Sequence, residues 1–503
     1  MHKGVCFVLR KSGVLMHISS LPSPYGIGTM GRAAYEFVDF LHAAGQKYWQ
    51  LLPICPTSYG DSPYQSYSTY AGNPYFIDLD FLSDWGVLNK EDYIHVDWES
   101  DVTHVNYGAM YFKRYPILHK AVDRFLELHS ENPWEEYDRF CEENKAWLED
   151  YALFMALKDV HQGAPWSMWS ETLRNRDEEA LAQAVVENKD SILFWKVVQF
   201  FFFRQWYHLK TYANEKGIQM IGDLPIYVSL DSVDAWAHPE LFQLDENKVP
   251  KEVAGCPPDG FSADGQLWGN PLYDWDYMET TGYAWWIERI QYLCRVYDTL
   301  RIDHFRAFDA YYAIPYGDDT AKNGHWKEGP GMKLFRAIED RIGRQPIIAE
   351  DLGHLTDSVR QLLKDSGFPG MKVLEFAFDS RDANGNEYLP HNFVKNCIAY
   401  AGTHDNDTIN GWFREADPSD TYYAKRYLRI AEGEELNWAM MDALWATVAD
   451  TAIVQAQDLL GLGSEGRMNT PSTVGNWTWR AWPGAFSWEL ADRIREKMWL
   501  YKR

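Results

Sequence analysis

The 503-residue sequence predicts a single (β/α)8 barrel with large insertions between its strands. Three observations predict it. Short β-branched apolar runs alternate with amphipathic helical patterns, which argues for a parallel sheet covered on both faces. The runs end in polar residues of catalytic type, as strands do at the C-terminal mouth of a barrel. No GxGxxG follows the first run, which disfavours an open dinucleotide-binding sheet. Residues 1–503 are accordingly read as one catalytic unit.

The apolar runs, in order, are VLMHISSL at 14–21, YWQLLPI at 48–54, IQMIGDLPI at 218–226 and LRIDHF at 300–305. PIIAEDL at 346–352, MKVLEF at 371–376 and CIAYAGTHD at 397–405 follow. The eighth strand is placed between residues 444 and 476. Helical periodicity covers 31–44, 284–297, 332–342 and 357–366. Two stretches exceed ordinary βα loops. Residues 56–217 read as a tyrosine-rich loop followed by a mainly helical subdomain. Its last helix is expected to start at an Asp190 N-cap and to stop at Gly217. Phe194, Trp195, Val198, Phe201, Phe202, Trp206 and Leu209 recur along it at three- and four-residue spacing, the mark of a core stripe. Residues 229–283, rich in Asp, Gly, Pro and Trp, read as an ordered loop subdomain over the barrel mouth. Residues 468–482 read as a structured loop near the site.

Hydrophobic content of 46% is ample for a large core. A formal net charge of −25 repels polyanions, so nucleic acid is excluded as a partner and a neutral substrate is favoured. Six cysteines without a CxxC pair fit a reducing compartment. The apolar stretch at 5–9 is too short for a signal-peptide core. The longest apolar stretch, 192–203, is broken by Lys196 and Gln199, so no membrane span is expected. A soluble, cytoplasmic protein is the expectation. The aromatic fraction is high at 16%, and many rings sit beside Gly, Pro, Asp and Asn. Flat amphipathic rings on loops suit the C–H faces of sugars.

The densest chemistry is LRIDHFR at 300–306. A carboxylate at a strand end, flanked by guanidinium groups, is held ionised, and that is what a carboxylate nucleophile needs. Two further acidic clusters end later runs: IIAEDLG at 347–353 and AGTHDNDT at 401–408. A single such acid would be read as a cap on the next helix. Three in order, with His304 and His404 attached, point to one site assembled from several βα loops. Spacing does not choose between Glu350 and Asp351, or between Asp405 and Asp407. No metal site is expected: His119 and His129 lack ligand spacing, and 382–386 reads as a turn rather than a calcium loop. The sequons at 406–408 and 476–478 carry no meaning in a cytosolic chain.

An ordered series of motifs spans nearly the whole chain: MHISSLPSPYGIG (16–28), YGDSPYQS (59–66), AGNPYFID (71–78), IGDLPIYV (221–228), PPDGFSADGQLWGNP (257–271) and MNTPSTVGNWTWR (468–480). With the three acidic clusters, the sequence resembles the 4-α-glucanotransferases of glycoside hydrolase family 77, also called amylomaltases or disproportionating enzymes. The resemblance implies transfer of an α-1,4-glucan segment to the 4-OH of glucose or another glucan. Maltooligosaccharides are the implied donors, starch or glycogen the metabolic setting, and no cofactor is required. Asp303 would be the nucleophile, Glu350 the general acid/base and Asp405 the third carboxylate. The resemblance thereby selects Glu350 and Asp405 from their pairs. Arg301 is expected to lower the pKa of Asp303, while burial and nearby charge raise that of Glu350. His404 and Asp223 match positions that bind the donor glucose, and Ser62 and Tyr64 would line the donor side. Tyr59 matches a second glucan site away from catalysis. Trp268, with Gln266 and Asn270, would form a flap over the acceptor channel. Gly260 and Ala307 depart from the family pattern, the first weakening the expected acceptor clamp. The competing readings are a retaining glucan hydrolase and a non-catalytic glucan-binding protein. The intact carboxylate set counts against the latter.

Overall fold

The structure, a computed structural model, describes residues 10–58, 60–258, 262–353, 355–382 and 386–503. Twelve strands are found among them. They are β1 (Lys11–Leu15), β2 (Tyr48–Gln50), β3 (Gln219–Leu224), β4 (Glu252–Cys256), β5 (Gln266–Pro271) and β6 (Thr299–Ile302). The rest are β7 (Ala310–Pro315), β8 (His325–Glu328), β9 (Ile347–Ala349), β10 (Gly370–Val373), β11 (Cys397–Tyr400) and β12 (Thr451–Gln455).

Eight strands form one parallel sheet in the order β10-β11-β12-β1-β2-β3-β6-β9. Seven coincide with the apolar runs, and β12 falls in the interval foreseen for the eighth. The sheet curls until its two edges meet. At that seam the Ala349 amide donates to the carbonyl of Pro369 at 3.0 Å, so the barrel is nearly closed. The helices Arg32–Ala43, Ala284–Val296, Met332–Ile342 and Asp357–Ser366 follow strands β1, β5, β8 and β9.

Between β2 and β3 the chain is mostly helical. Its last helix, Lys189–Glu215, begins after Asn188, so Asp190 lies in its first turn and is not the cap. Gly217 ends it at φ 77°, a conformation glycine adopts without strain. The stripe from Phe194 to Leu209 is buried throughout, and so are Val197, Phe200 and Phe203 on the other faces. From 192 to 206 no residue of this helix is exposed, so that part of it lies between two layers. It also pins the tyrosine-rich loop. Gln199 bonds both the amide (2.7 Å) and the carbonyl (2.9 Å) of Gly72, and Gln205 does the same for Asp78 (2.6 and 3.0 Å). A Cβ on residue 72 would fall 2.0 Å from the Phe202 ring, so glycine there permits the contact.

Residues 229–283 hold more regular structure than a loop subdomain. Strands β4 and β5 lie in this stretch and join β7 and β8 in an antiparallel sheet ordered β5-β4-β7-β8. Gly255, Gly269 and Pro271 hide the alternation in these strands, and β4 pairs with β7 from a distant part of the chain (Val253 opposite Ile314, Gly255 opposite Tyr312). No helix among the described residues is long and apolar enough to cross a membrane. None of the described cysteines forms a disulfide.

Candidate active site

The C-terminal ends of β3, β6, β9 and β11 deliver the polar residues, and strand register decides which of them meet. Asp223 on β3 lies opposite Arg301 on β6, and Arg301 opposite Ile348 on β9. Arg301 Nη1 donates to both oxygens of Asp223 at 2.7 Å and lies 3.0 Å from Oδ1 of Asp303. Tyr64, from the tyrosine-rich loop, donates its hydroxyl to Asp223 Oδ2 at 2.7 Å. Arg301 thus ties Asp303 to Asp223 and, through it, to Tyr64. It stays charged, since Asp223 and Asp303 outweigh the cost of burying it.

Glu350 follows β9 directly. Its Oε2 accepts the His304 amide and its Oε1 the Leu352 amide, both at 2.7 Å. The donor of the first bond, His304, lies in the left-handed region at φ 55°, an uncommon state for a non-glycine residue. The neighbour Asp351 faces away, accepting the Met371 amide of β10 at 2.6 Å. Asp405 and Asp407 separate in the same way. Asp407 accepts the Thr408 amide and the Ser464 hydroxyl, while Asp405 opens on the cleft with its side chain 47% exposed.

Electrostatics separate the two central carboxyls. Burial, then the charge of Asp303, pushes Glu350 up to about 8. Asp303 is itself raised to about 6. The expected lowering by Arg301 operates, but burial outweighs it and the Asp223 charge adds to burial. The Asp303 side chain remains 30% exposed to the cleft, so water offsets part of that cost until a ligand displaces it. Near pH 7 the pair therefore holds one ionised group, Asp303, beside one protonated group, Glu350.

The cleft has a volume of about 750 Å³. Asp303, His304 and Asp405 form its floor, and Ser62, Tyr64, Trp268 and Asn270 contribute to its walls. Ser62 also shapes its own loop, its hydroxyl accepting the Tyr64 amide at 3.3 Å. Asn270 is less free than a ligand-binding amide would be: Nδ2 donates to Val228 and Oδ1 accepts from Gln65. Trp268 is half-buried, donates to Gln266 Oε1 at 3.0 Å and packs edge-on against His304 with centroids 4.8 Å apart. His404 stacks on Tyr64 at 5.1 Å, and its Nε2 lies 3.4 Å from Asp405. Tyr59 and Gly260, and residues 383–385 of the turn at 382–386, lie outside the described residues. Ala307 is buried and does not have a positive φ, so its methyl group is accommodated.

Three further participants carry no signal of their own in the sequence. Asn469 donates to Asp405 Oδ1 at 2.6 Å, Arg467 donates to the Asp405 carbonyl at 2.6 Å, and Trp477 packs at 5.9 Å from both Tyr64 and His404. All three lie in or beside the Thr/Asn/Trp-dense loop, whose composition marks it without showing which side chains turn inward. Among the described residues no group of three His, Cys, Asp or Glu side chains could hold a metal ion.

Known proteins match this chain over nearly its full length. A family model described as 4-alpha-glucanotransferase, glycoside hydrolase 77, matches residues 16–483. A 4-alpha-glucanotransferase of Clostridium butyricum is 48% identical over 97% of this chain and 100% of its own. That of Thermus thermophilus is 47% identical over 97% of each. The structure of an amylomaltase from Streptococcus agalactiae in complex with acarbose superposes with a TM-score of 0.95 at 46% identity, covering 98% of this chain and 99% of that one. The chain belongs to the 4-alpha-glucanotransferases of glycoside hydrolase family 77.

Proposed function

We propose that this enzyme transfers segments of α-1,4-glucans by retaining double displacement, with Asp303 as nucleophile and Glu350 as acid/base. The observation that carries the reading is the arrangement of two carboxyls at adjacent strand ends: Asp303 lies 3.0 Å from the Arg301 guanidinium, and Glu350 is buried, its pKa pushed up by burial and by the Asp303 charge. A retaining site needs one ionised and one protonated carboxyl on either side of the scissile bond, about 5 Å apart. Asp303 attacks the anomeric carbon while Glu350 gives its proton to the departing glycosidic oxygen. The C1–O4 bond breaks and a β-linked glycosyl-Asp303 ester forms. Glu350, now a carboxylate, takes the proton from the 4-OH of an acceptor glucan, which displaces Asp303 and restores the α-linkage. Asp405 and His404, stacked beside Tyr64, would hold hydroxyls of the reacting sugar. Trp268 would offer its face to the acceptor and cover the site. Maltooligosaccharides fit as donors, and glucose or longer glucans as acceptors.

Incubation with maltotriose tests this. Glucose plus a ladder of longer maltooligosaccharides is the expected result, with every newly formed glycosidic linkage α by proton NMR. Glucose and maltose alone would make the enzyme a hydrolase, and β linkages in the longer products would reject the double displacement.

A further inference from the structure

Behind the cleft, the loops after β10, β11 and β12 converge on one buried carboxyl, that of Glu375. It is 6% exposed and carries no role in the reaction described above. Asp405 sits in the turn 403–406. Asn406 Oδ1 closes this turn, accepting both the amide and the hydroxyl of Thr403 at 2.9 Å. The Asp405 amide donates to the same Thr403 hydroxyl at 3.3 Å. With Oδ1 committed, the amide nitrogen is the group Asn406 has left to donate, and the Glu375 carboxyl is its neighbour across Gly402, where a Cβ would lie 3.0 Å from Asn406 Cβ. Arg467, which also faces Glu375, grips the Asp405 carbonyl at 2.6 Å. The Glu375 side chain presses on the start of the same loop: a Cβ on residue 402 would lie 2.9 Å from its Oε1, so glycine there admits the contact.

We propose that Glu375 is a positioning residue for Asp405, holding the turn that presents it through Asn406. The inference rests on the proposed role of Asp405 at the reacting sugar. Glu375 does this as a neutral carboxyl group. Two other buried or half-buried carboxyls face it, Asp458 after β12 and Asp407 after β11, against one guanidinium, Arg467. Among the described residues its Oε1 has no hydrogen-bond partner, and such enclosure costs far more for an ionised oxygen than for a neutral one. Burial and the two carboxyls accordingly push its pKa well above the usual carboxylate range. A neutral carboxyl still accepts from Asn406, and so does the amide of glutamine.

A double-mutant cycle with Asp405→Asn tests the proposal, measured with maltotriose and with α-glucosyl fluoride so that slow variants remain visible. Glu375→Ala is expected to lower kcat by about 10²-fold, the scale of a misplaced catalytic group, with KM little changed. Glu375→Gln is expected to restore most of that loss. In the Asp405→Asn background Glu375→Ala is expected to add nothing, because the group it positions is already gone. Additive losses, or a Glu375→Gln variant as impaired as Glu375→Ala, would overturn the proposal. If Asp405→Asn alone kept wild-type kcat, the role of Asp405 would fall and this inference with it. Asn406→Ala cuts the same link and serves if Glu375→Ala does not fold. Its loss is expected to vanish in the Asp405→Asn background, and an additive loss overturns the proposal equally.

Discussion

Two backbone amides aim at Glu350, from His304 and Leu352, and both favour its ionised form. Burial and the adjacent Asp303 oppose them and win. The residue is therefore poised as an acid that, once it has given its proton away, finds two donors already in place. The pH dependence follows. Asp303 must be ionised and Glu350 protonated, so kcat/KM is expected to rise through about pH 6 and fall through about pH 8. The two limbs belong to the coupled pair rather than to either residue alone. Glu350→Gln separates acid catalysis from binding. Its rate on maltotriose is expected to fall by about 10²–10⁴-fold, while its rate on α-glucosyl fluoride, whose leaving group needs little protonation, falls far less. Equal losses on both donors would make Glu350 a binding residue. Sequence spacing leads as far as the pairs Glu350/Asp351 and Asp405/Asp407. It goes no further, because the choice depends on neighbours in space: Asp351 is taken by the Met371 amide of β10, and Asp407 by Ser464.

At the scale of elements, function depends on how loops from distant parts of the chain lean on one another. Trp268 ends its reach against His304, and the His304 amide holds Glu350. The loop that carries Trp268 thus touches the support of Glu350, the proposed acid/base, as well as the cleft. Trp268→Ala removes a stacking face and a cover at once, at a cost of about 1–3 kcal/mol in acceptor binding by analogy with other flat ligands. Water then competes better for the intermediate, so the ratio of hydrolysis to transfer from maltotriose is expected to rise. If both rates fall together at an unchanged ratio, the contact with His304 is what matters and Trp268 supports the donor side. Helices were the most legible elements, because a long amphipathic or apolar stripe such as 189–215 survives any tertiary context. Strands β4 and β5 were not: they carry glycine, and they belong to a sheet completed by β7, the second partner of β4, which is supplied after the fourth barrel strand. The inward turn of Asn469 and Trp477 was hidden for the same reason, since loop composition does not encode direction.

Across the whole molecule, the barrel was readable because seven of its eight buried strands leave apolar runs, and because the acids at their ends fall into sequence order. The closure of the seam between β9 and β10, and the convergence of three loops on Glu375, exist only in three dimensions. The same convergence sets a tension between activity and stability. Glu350, Glu375 and Asp458 are all buried carboxyls whose native pKa lies above the ordinary value. Folding raises the pKa of Glu350 from 4.5 to about 8, so between these values the native state holds a proton that the unfolded state has released. Its favourable contribution is complete below about pH 4.5 and is lost as pH rises towards 8. Above that, the folded enzyme must carry the charge beside Asp303. Glu350→Gln cannot ionise and escapes this loss. The melting temperature of Glu350→Gln relative to wild type is therefore expected to climb from about pH 5 to about pH 8 and then level off. The plateau corresponds to a gain on the order of a few kcal/mol, since a tenfold change in an acid dissociation constant is worth about 1.4 kcal/mol. Thermal unfolding of both proteins at about pH 5, 6.5, 8 and 9 measures it. A difference that stays constant across that range would show that Glu350 titrates at its ordinary pKa, and the acid assigned to the reaction would then have to be another group.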